Sequence, residues 1–386
     1  MKDLFSNRDF TLGILGGGQL GKMILTETRK YDITTVVMDP SADAPGRLAS
    51  NTFVQGDLKD YDTVIEFGKD VDVLTIEIEA VNVDALEELE NRGVKVYPQP
   101  NVLRIIQNKV RQKNFYAEKE IPTAPFKVFD TAEQLKEAVS AGELSIPFVW
   151  KAAEGGYDGF GVHVVKTDED VQKLGGGSCL AEELVPFEKE ISVIVARTPS
   201  GTVQTYPTVE MEFHPTANQV EFVICPSSLS SSLEEKAQSL AKQTAEAFGI
   251  VGLMAVEMFL TKSGEILVNE VAPRTHNSGH LSIESNYTSQ FEQQIRAVMD
   301  MPLGSTRIKT PAVMANLVGA EGHTGKVVYA GYADLLGMEG VNIHIYGKAD
   351  TRPFRKMGHV TVIGPTVREA REMAKIAKEH IRVEAK

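Results

Sequence analysis

The segment LMAVEMFLTKSGEILVNEVA, residues 253–272, consists of two apolar runs separated by the short polar sequence KSGE. Glycine in such a connection favours a tight turn, because it adopts positive φ at little cost. The segment therefore predicts a β-hairpin. If Ser263–Gly264 forms the centre of the turn, Glu257 and Glu270 lie directly opposite each other on one face, with Cβ atoms about 5 Å apart.

These two glutamates predict a metal site. Two ionised carboxylates so close together repel, so a proton or a cation is expected between them. Oxygen ligands without sulfur or imidazole favour a hard ion, and Mg²⁺ bound by carboxylates and nucleotide phosphates fits best. The alternative is a pair of solvated glutamates on the exposed face of the hairpin. The predicted neighbours on their face argue against that alternative, because all four are apolar: Ala255, Phe259, Val268 and Ala272.

Polar side chains follow the second strand of this hairpin. Arg274, His276, Asn277 and His280 all lie in the sequence APRTHNSGH, residues 272–280. Arginine offers a planar fork that matches a carbonate-like anion, and histidine can move a proton near neutral pH. The alternatives are a salt bridge between Arg274 and a loop acid, and structural roles for the histidines, above all for His280.

The composition is that of a globular protein with two or three domains. The chain has 386 residues, 42% of them hydrophobic, and a net charge of −13. This acidic balance disfavours nucleic acid and anionic membranes as partners, because no basic excess is present to neutralise phosphates. The N-terminal sequence MKDLFSNRDF contains no apolar signal-peptide core, and no run approaches the ~20 apolar residues of a membrane span. With only Cys179 and Cys225, we expect reduced thiols and a cytoplasmic protein.

Three styles of secondary structure follow one another along the chain. Residues 10–100 alternate strand and helix patterns, which predicts βαβ units and a parallel sheet. Residues 102–130 are expected to be mostly helical, and the short strands that follow Pro147 are typical of an α+β arrangement. We therefore expect a fold of the α/β and α+β classes, with three domains: a Rossmann-like N-terminal domain over residues 1–103, a central domain over 104–305 and a small β-rich C-terminal domain over 306–386.

A glycine loop lies between the first predicted strand and the first predicted helix. Gly16, Gly18 and Gly21 have the G-x-G-x-x-G spacing, and Asp39 ends the next predicted strand. Such a loop points helix N-terminal amides at an anion, so we expect contact with a phosphate or a small substrate. Because Asp39 lies where an acid would contact a ribose, NAD binding by a dehydrogenase is an alternative. A second alternative is that the glycines only pack the strand against the helix.

A second glycine-rich stretch begins at Lys151, in KAAEGGYDGFG, residues 151–161. A lysine beside a flexible loop between strands is typical of a loop that closes over polyphosphate. The stretch is not a Walker loop, because GK[ST] is missing, and the kinase HRD and DFG motifs are missing too. Farther on, the segment CLAEELV, residues 179–185, can offer backbone groups to an adenine edge, and Glu190 can accept hydrogen bonds from ribose hydroxyls.

Together these motifs resemble the carboxylate–amine ligases of the ATP-grasp superfamily. The resemblance runs through most of the chain, in GILGGGQLGKM, TIEIEAV, KAAEGGYDGFGV, EKEISVIVAR, VNEVAPRTHNSGH and RPFRKMGHVTV. The last three are similar, more narrowly, to the family that carboxylates 5-aminoimidazole ribonucleotide in purine biosynthesis. The resemblance implies an ATP-grasp fold and a homodimeric ligase. It also implies that the enzyme uses ATP, Mg²⁺ and bicarbonate to form 5-(carboxyamino)imidazole ribonucleotide, ADP and phosphate through carboxyphosphate.

The resemblance also implies roles for individual residues. Contacts with ATP are implied for Lys109, Lys151, Gly156, Tyr157, Asp158, Gly159, Phe160, Gly161, Glu182, Glu183, Leu184, Val185, Glu190 and His214. Mg²⁺ would be held by Glu257 and Glu270, with Asn269 beside them. Bicarbonate and carboxyphosphate would be met by Arg274, His276 and Asn277, while Lys151 would assist phosphoryl transfer. Contacts with 5-aminoimidazole ribonucleotide are implied for Gln19, Leu20, Glu77 or Glu79, Tyr157 and Asp158, and with its phosphate for Lys348 and Arg355.

Two residues depart from the family pattern. Phe160 stands where the loop usually has a basic residue, so a charged contact from that position is not implied. Phe354 stands where a smaller residue is expected. Two further alternatives stay open: a sibling ligase, such as a formate-using ribonucleotide transformylase or a biotin-type carboxylase, and a nucleotide-binding module without catalysis.

Overall fold

A five-stranded parallel sheet opens the fold. The computed structural model describes residues 10–155, 161–217 and 219–386. The order of the strands is β3-β2-β1-β4-β5, and each neighbouring pair is parallel, as the alternating pattern predicts. The strands are β1 (Thr11–Leu15), β2 (Thr34–Asp39), β3 (Thr52–Gln55), β4 (Val73–Ile76) and β5 (Lys95–Tyr97). Only β3 is missing from the predicted strands, because it is almost wholly exposed and has no apolar pattern.

Three helices connect these strands and a fourth follows the last strand: α1 (Gln19–Thr28), α2 (Tyr61–Gly68), α3 (Val83–Asn91) and α4 (Pro100–Ile106), with 3-10 turns at Arg29–Tyr31 and Arg47–Ala49. Polar N-caps begin α2 and α3, where the side chains of Asp60 and Asn82 accept hydrogen bonds from backbone amides. Helix α1 has no side-chain cap from its own N-cap residue, Gly18. Its first amides must therefore find an acceptor elsewhere in the fold.

A four-stranded antiparallel sheet comes next, in the order β6-β9-β7-β8. Its strands are β6 (Phe126–Phe129), β7 (Phe148–Ala152), β8 (Val162–Val165) and β9 (Cys179–Glu183). The helices of this region are α5 (Lys109–Glu118), α6 (Ala132–Ser140) and α7 (Asp168–Gln172). The expectation that residues 102–130 are mostly helical is wrong at β6, whose residues pair with β9 from farther along the chain.

A large sheet joins the central and C-terminal parts of the chain. Its order is β15-β14-β10-β12-β13-β16-β20-β18, with β11 beside β10. The strands are β10 (Phe187–Arg197), β11 (Val203–Thr205), β12 (Val209–Phe213), β13 (Val220–Cys225), β14 (Gly252–Thr261), β15 (Ile266–Ala272), β16 (Ala312–Val318), β18 (Val341–Ile345) and β20 (Lys356–Ile363). Because β13 pairs with β16, the C-terminal strands continue the central sheet.

The remaining elements surround this sheet. The helices are α8 (Ser231–Phe248), α9 (Ser282–Ser285), α10 (Gln290–Val298), α11 (Tyr332–Leu335) and α12 (Val367–His380), with a 3-10 turn at Asn277–Gly279. A small sheet in the order β19-β17-β21 is formed by β17 (Gly325–Ala330), β19 (Asp350–Thr351) and β21 (Arg382–Ala385). No helix in the described part of the chain has the length and apolar character that a membrane crossing requires. The two boundaries between the three predicted domains stay a prediction.

The main core determines which face of the hairpin is available for chemistry. Val256 and Met258 of β14 are buried in one cluster with Ala237 and Ala241 of α8. Side chains alternate between the two faces of a strand. Glu257 therefore lies on the face opposite this core, where it does not have to be buried among alanines and valines.

Three histidines lie against one another in the C-terminal part of the large sheet. His344 of β18 pairs directly with His359 of β20, and their stacked rings are 4.3 Å apart between centroids. The ring of His280 lies 4.9 Å from that of His359, and Tyr346 Oη lies 3.1 Å from His359 Nδ1. Burial lowers the pKa of His280 and of His359 well below the usual range, because water is removed from the charged form. Both rings are neutral in the folded protein at neutral pH.

We expect the substitution His359→Gln to cost less stability at pH 5.5 than at pH 7.5. A buried neutral histidine stabilises the fold fully above its unfolded pKa of about 6.5, and that contribution falls by about 1.4 kcal/mol per pH unit below it. The variant has no imidazole to protonate on unfolding, so the difference between variant and wild type narrows as pH falls. Urea unfolding of both proteins at the two pH values measures this difference, and a cost that does not change with pH would contradict the neutral buried ring.

Candidate active site

The hairpin of β14 and β15 places Glu257 opposite Glu270, as predicted. The turn itself differs from the prediction. With Gly264 at a φ of 79°, Leu260 pairs with Ile266, which is one position away from the predicted register. An additional residue in β15 restores the predicted register before the two glutamates are reached.

The additional residue is Asn269, which forms a β-bulge between the Met258–Val268 pair and the pair of glutamates. Bulges change the direction of a side chain. Asn269 Oδ1 accepts a hydrogen bond of 3.0 Å from Lys151 Nζ, which places the amide in the site. Val268 belongs to the main core together with Met258. The prediction that Val268 shares the face of Glu270 is therefore wrong, and the bulge is the reason.

A lysine lies against one glutamate and a histidine against the other. Lys109, the first residue of α5, forms an ion pair with Glu270, and His276 Nε2 lies 3.1 Å from Glu257 Oε1. Attraction by Lys109 lowers the pKa of Glu270. Burial, and then repulsion by Glu270, raises the pKa of Glu257. The two pKa values are thus shifted in opposite directions, as expected for two close carboxylates of which only one is paired with a lysine.

The donor atoms around this pair suit a hard divalent ion. The two carboxylates and the amide oxygen of Asn269 are all oxygen ligands, which Mg²⁺ prefers, and the ion keeps other positions for phosphate and water. Glu257 is 14% exposed and Glu270 40% exposed, so the pair is accessible from one side. Lys109 balances part of the negative charge that a divalent ion would balance. These residues fit a magnesium site.

A buried ion-pair triad lies beside the hairpin. Glu182 of β9 is paired with Lys113 Nζ at 3.0 Å and with Lys151 Nζ at 2.9 Å, and all three side chains are less than a tenth exposed. Burial lowers the pKa of Lys113 to about 8. Lys113 is absent from the predicted site, although it lies four residues after Lys109 and so on the same face of α5. The triad holds Lys151 at the edge of the site.

Glu182 and Glu183 end β9 of the small sheet, Leu184 and Val185 follow it, and Glu190 lies on β10 of the large sheet. The side chain of Glu182 points inward to the lysines, whereas the amide of Glu183 donates to Pro125 O at 2.9 Å. Burial raises the pKa of Glu190 to about 7, and repulsion by Glu270 adds to the shift. Glu190 is close enough to Glu270 and Lys151 for their charges to act on its carboxyl group. Contacts of residues 182–185 and Glu190 with a nucleotide stay a prediction.

His214 and the second glycine-rich loop are the remaining predicted contacts with the nucleotide. His214 follows β12, its Nδ1 accepts hydrogen bonds from the amides of Thr216 and Ala217, and its ring lies 5.9 Å from that of Phe354. The loop residues Gly156, Tyr157, Asp158, Gly159 and Phe160 lie outside the described residues. Gly161, which ends the loop, has a φ of 74°, a conformation that favours glycine.

Arg274 joins the central part of the chain to the parallel sheet. Its Nε lies 2.8 Å from Glu79 Oε2, and its Nη1 donates to Thr275 O at 3.0 Å. The salt bridge to a loop acid, considered as an alternative for this arginine, is therefore present. A guanidinium has five N–H donors in a fixed fork, so one carboxylate does not exhaust it. Contact between Arg274 and an anion stays a prediction.

The glycine loop before α1 binds carboxylates of the protein itself. Gly17 N–H donates to Asp39 Oδ2 at 2.8 Å, while Gly18 N–H and Gly21 N–H donate to Glu77 at 2.9 and 2.6 Å. Glu77 is thus the acceptor that α1 lacks at its own N-cap. A Cβ atom at Gly18 would lie 2.3 Å from Glu77 Oε1, so this glycine is needed for the close approach. The expected anion site at these amides is occupied by Glu77 and Asp39, and the packing alternative describes the loop better than NAD binding does.

Asn277 and His276 are held by neighbours that the sequence does not reveal. Asn277 and Asn316 of β16 exchange two hydrogen bonds of 2.9 Å through their side-chain amides. His276 Nδ1 accepts from the amide of Ser278 at 3.3 Å and lies 2.9 Å from Ser278 Oγ. Nδ1 thus accepts from the Ser278 amide or, in the other tautomer, donates to Ser278 Oγ, and Nε2 is directed at Glu257.

The predicted phosphate-binding residues come from the C-terminal part of the chain. Lys348 Nζ donates to Lys356 O at 2.7 Å, and Arg355 Nη1 donates to Asp350 O at 2.6 Å. Lys356 is absent from the predicted site, yet its charge acts on Glu257. Phe354 adopts a φ of 61°, which favours glycine, so a small residue suits this position as expected.

Gln19 and Leu20 begin α1 at the end of the parallel sheet. The side chain of Leu20 is 8% exposed and belongs to a core cluster, so only its backbone could meet a substrate. Gln19 is partly exposed beside the glycine loop. Lys22, one turn along α1, donates from Nζ to Ile345 O at 2.8 Å and so connects this end of the sheet to the C-terminal strands.

Three family models match successive parts of the chain. The ribonucleotide synthetase preATP-grasp domain matches residues 10–107, the ATP-grasp domain matches residues 114–291, and the phosphoribosylaminoimidazole carboxylase C-terminal domain matches residues 312–373. These matches confirm the predicted ATP-grasp fold, with its N-terminal parallel-sheet domain and its small C-terminal domain.

Curated relatives extend over nearly the whole chain. The N5-carboxyaminoimidazole ribonucleotide synthase of Bacillus subtilis is 37% identical over 91% of this chain and 90% of its own length. The chloroplastic phosphoribosylaminoimidazole carboxylase of Vigna aconitifolia is 38% identical over 93% of this chain, which spans 65% of that longer protein. The chain therefore spans nine tenths of the bacterial synthase and just under two thirds of the plant carboxylase.

Solved structures agree with this relationship. The N5-carboxyaminoimidazole ribonucleotide synthetase of Thermotoga maritima has a TM-score of 0.89 and 40% identity, over 98% of this chain and 100% of that one. The synthase of Aspergillus clavatus in complex with ADP and 5-aminoimidazole ribonucleotide has a TM-score of 0.86 and 32% identity, over 96% of this chain and 98% of that one. On the combined evidence of fold, site and relatives, the chain belongs to the N5-carboxyaminoimidazole ribonucleotide synthase family of ATP-grasp ligases.

Proposed function

We propose that this protein carboxylates the exocyclic amine of 5-aminoimidazole ribonucleotide, using ATP and bicarbonate, in purine biosynthesis. The products are 5-(carboxyamino)imidazole ribonucleotide, ADP and phosphate. The observation that carries the proposal is the pair Glu257–Glu270, held face to face on a hairpin with Lys109 and Lys151 beside it. The family relationship supports the substrate, because a related synthase has been solved with ADP and 5-aminoimidazole ribonucleotide.

The nucleotide would bind between the small antiparallel sheet and the hairpin. Lys151, fixed by Glu182, would contact the phosphates, and Glu190 would accept from the ribose. ATP with Mg²⁺ is the cofactor of ATP-grasp enzymes, and Glu257 and Glu270 would hold the metal here. When bound, Mg²⁺ supplies charge neutralisation on the transferring phosphoryl group. Lys109 would then leave its ion pair with Glu270 and contact a phosphate oxygen instead.

Bicarbonate must be activated before an amine can attack it. A bicarbonate oxygen attacks the γ-phosphorus, the bond to the ADP oxygen breaks, and carboxyphosphate forms. Arg274 and Asn277 would hold the planar anion, because a guanidinium fork and an amide match its oxygens. Positioning and electrostatics carry most of such a step, since the phosphoryl group needs little covalent help.

The carboxy group then passes to the amine. The exocyclic nitrogen bonds to the carboxyl carbon, either of carboxyphosphate or of CO₂ released from it, and phosphate is set free. The amine must lose one proton, for which His276 is the proposed acceptor once Glu257 is occupied by the metal. Lys348 and Arg355 would meet the substrate's phosphate, with Lys356 beside them, and Gln19 and Glu79 would lie closer to the imidazole.

The decisive experiment measures ADP release by the purified protein with Mg²⁺, ATP, bicarbonate and 5-aminoimidazole ribonucleotide. We expect turnover only when bicarbonate is present and stimulation by the ribonucleotide. The variant Glu270→Gln should lose activity by about a hundredfold or more, because a neutral amide binds Mg²⁺ poorly and leaves Lys109 unpaired. Glu265→Gln, on the exposed turn of the same hairpin, is the matched control and should leave turnover unchanged.

Each alternative function gives a different result in this assay. A sibling ligase would hydrolyse ATP in response to formate or a biotin acceptor instead. A nucleotide-binding module would bind ADP with Mg²⁺ and show no turnover with any acceptor. Equal activity of Glu270→Gln and Glu265→Gln would contradict the metal role of the hairpin.

We further propose that the protein is a cytoplasmic homodimer, which is what the family resemblance implies. One chain has a mass of 42.2 kDa, so the expected particle has twice that mass. Sedimentation velocity at micromolar concentration measures this directly. A single species with the mass of one chain would contradict the dimer and leave the proposed reaction untouched.

A further inference from the structure

Gln290, the first residue of α10, is completely buried directly behind the site. Its side-chain oxygen accepts from the amide of His276 at 2.9 Å, and its side-chain nitrogen donates to the carbonyl of His276 at 2.7 Å. The same nitrogen lies 3.0 Å from Nδ1 of His280. One buried amide thus grips the N–H and the C=O of a single residue, as a neighbouring β-strand would.

Both N–H groups and the oxygen of the Gln290 side chain have partners in the loop that carries His276 and His280. The two N–H groups of Gln290 go to His276 O and His280 Nδ1, and its oxygen takes the His276 N–H. The opposite orientation of the amide would place two donors against the His276 N–H, so the assignment is unambiguous. Its direction also makes Nδ1 of His280 an acceptor, which matches the neutral state that burial imposes on that ring.

The surrounding loop is shaped to admit Gln290. A Cβ atom on Gly279 would lie 2.5 Å from Gln290 Oε1 and 2.2 Å from Ile194 Cδ1, so only glycine fits between them. The backbone N–H of Gln290 is held in turn by Ser282 Oγ at 2.9 Å. The loop that carries His276 therefore folds around this one side chain.

We propose that Gln290 is a positioning residue for the carboxylation: it fixes the backbone of His276, and so sets the imidazole against Glu257 and the reacting groups. This inference rests on the proposed function. Gln290 contacts neither substrate nor metal, and its effect passes through the peptide of His276. The imidazole has one defined position, with Nε2 3.1 Å from Glu257 Oε1 and Nδ1 against Ser278, and that position depends on where the loop backbone lies.

The chain offers a matched control one turn farther along the same helix. Gln293 is equally buried and grips Gly304 in the same way: Gly304 N–H donates to its Oε1 at 2.8 Å, and its Nε2 donates to Gly304 O at 3.0 Å. Gly304 has no part in the proposed site. Removing either clamp should weaken the fold to a similar degree, but only one of them holds His276.

The test compares Gln290→Met with Gln293→Met, below the unfolding temperature of both variants. It records kcat and KM for ATP and the amount of carboxylated product formed per ADP released. For Gln290→Met we expect kcat for product to fall by about tenfold to a hundredfold, because small misplacements of a catalytic group are costly. Product per ADP should fall as well, while KM for ATP stays within about twofold of wild type. Gln293→Met should lower the thermal midpoint yet keep wild-type kcat and coupling.

Gln290→Glu serves as the second variant, because it keeps the shape and the acceptor while its second oxygen faces the His276 carbonyl. We expect the same uncoupling from it. If both Gln290 variants match Gln293→Met in kcat and in product per ADP, or if neither folds while Gln293→Met does, Gln290 serves folding alone and the inference is overturned. A wild-type protein without bicarbonate-dependent turnover would instead overturn the proposed function, so the two failures are distinguishable.

Discussion

The arrangement of the candidate site depends on the repulsion between Glu257 and Glu270, which a hairpin holds opposite each other. One face of that hairpin is committed to the main core through Val256 and Met258, so the glutamates cannot turn away from each other. Like charges at this distance require a cation or a proton. Lys109 supplies that cation beside Glu270, and His276, which comes from a different element, lies against Glu257.

The rest of the fold brings further groups to the same place. The small antiparallel sheet contributes Lys151 through the buried carboxylate of Glu182, and the parallel sheet contributes Glu79 opposite Arg274. The C-terminal strands continue the central sheet and add Lys356 to the field around Glu257. A single site is thus assembled from all three parts of the chain, which is why its residues are spread along the sequence from Glu79 to Lys356.

The sequence predicts structural features that depend on residues close together in the chain, such as the hairpin. Alternating apolar residues and a glycine turn were sufficient to predict the pairing of Glu257 with Glu270, although the reasoning missed a bulge at Asn269 that compensates for an offset at the turn. The groups that sequence reasoning missed make long-range contacts: Lys113, Lys356, Asn316 and Gln290. No periodicity reveals that Glu77 fills the amides of a glycine loop more than fifty residues earlier, because that contact exists only once β1 and β4 are neighbours.

The most direct test of this account is a crystal structure of the protein with ADP and Mn²⁺, the latter located by its anomalous scattering. The account predicts a manganese ion within about 2.0–2.4 Å of a carboxylate oxygen from each of Glu257 and Glu270, with Lys109 moved from Glu270 to the nucleotide. An ion bound elsewhere, with Lys109 still paired to Glu270 beside a bound nucleotide, would contradict it.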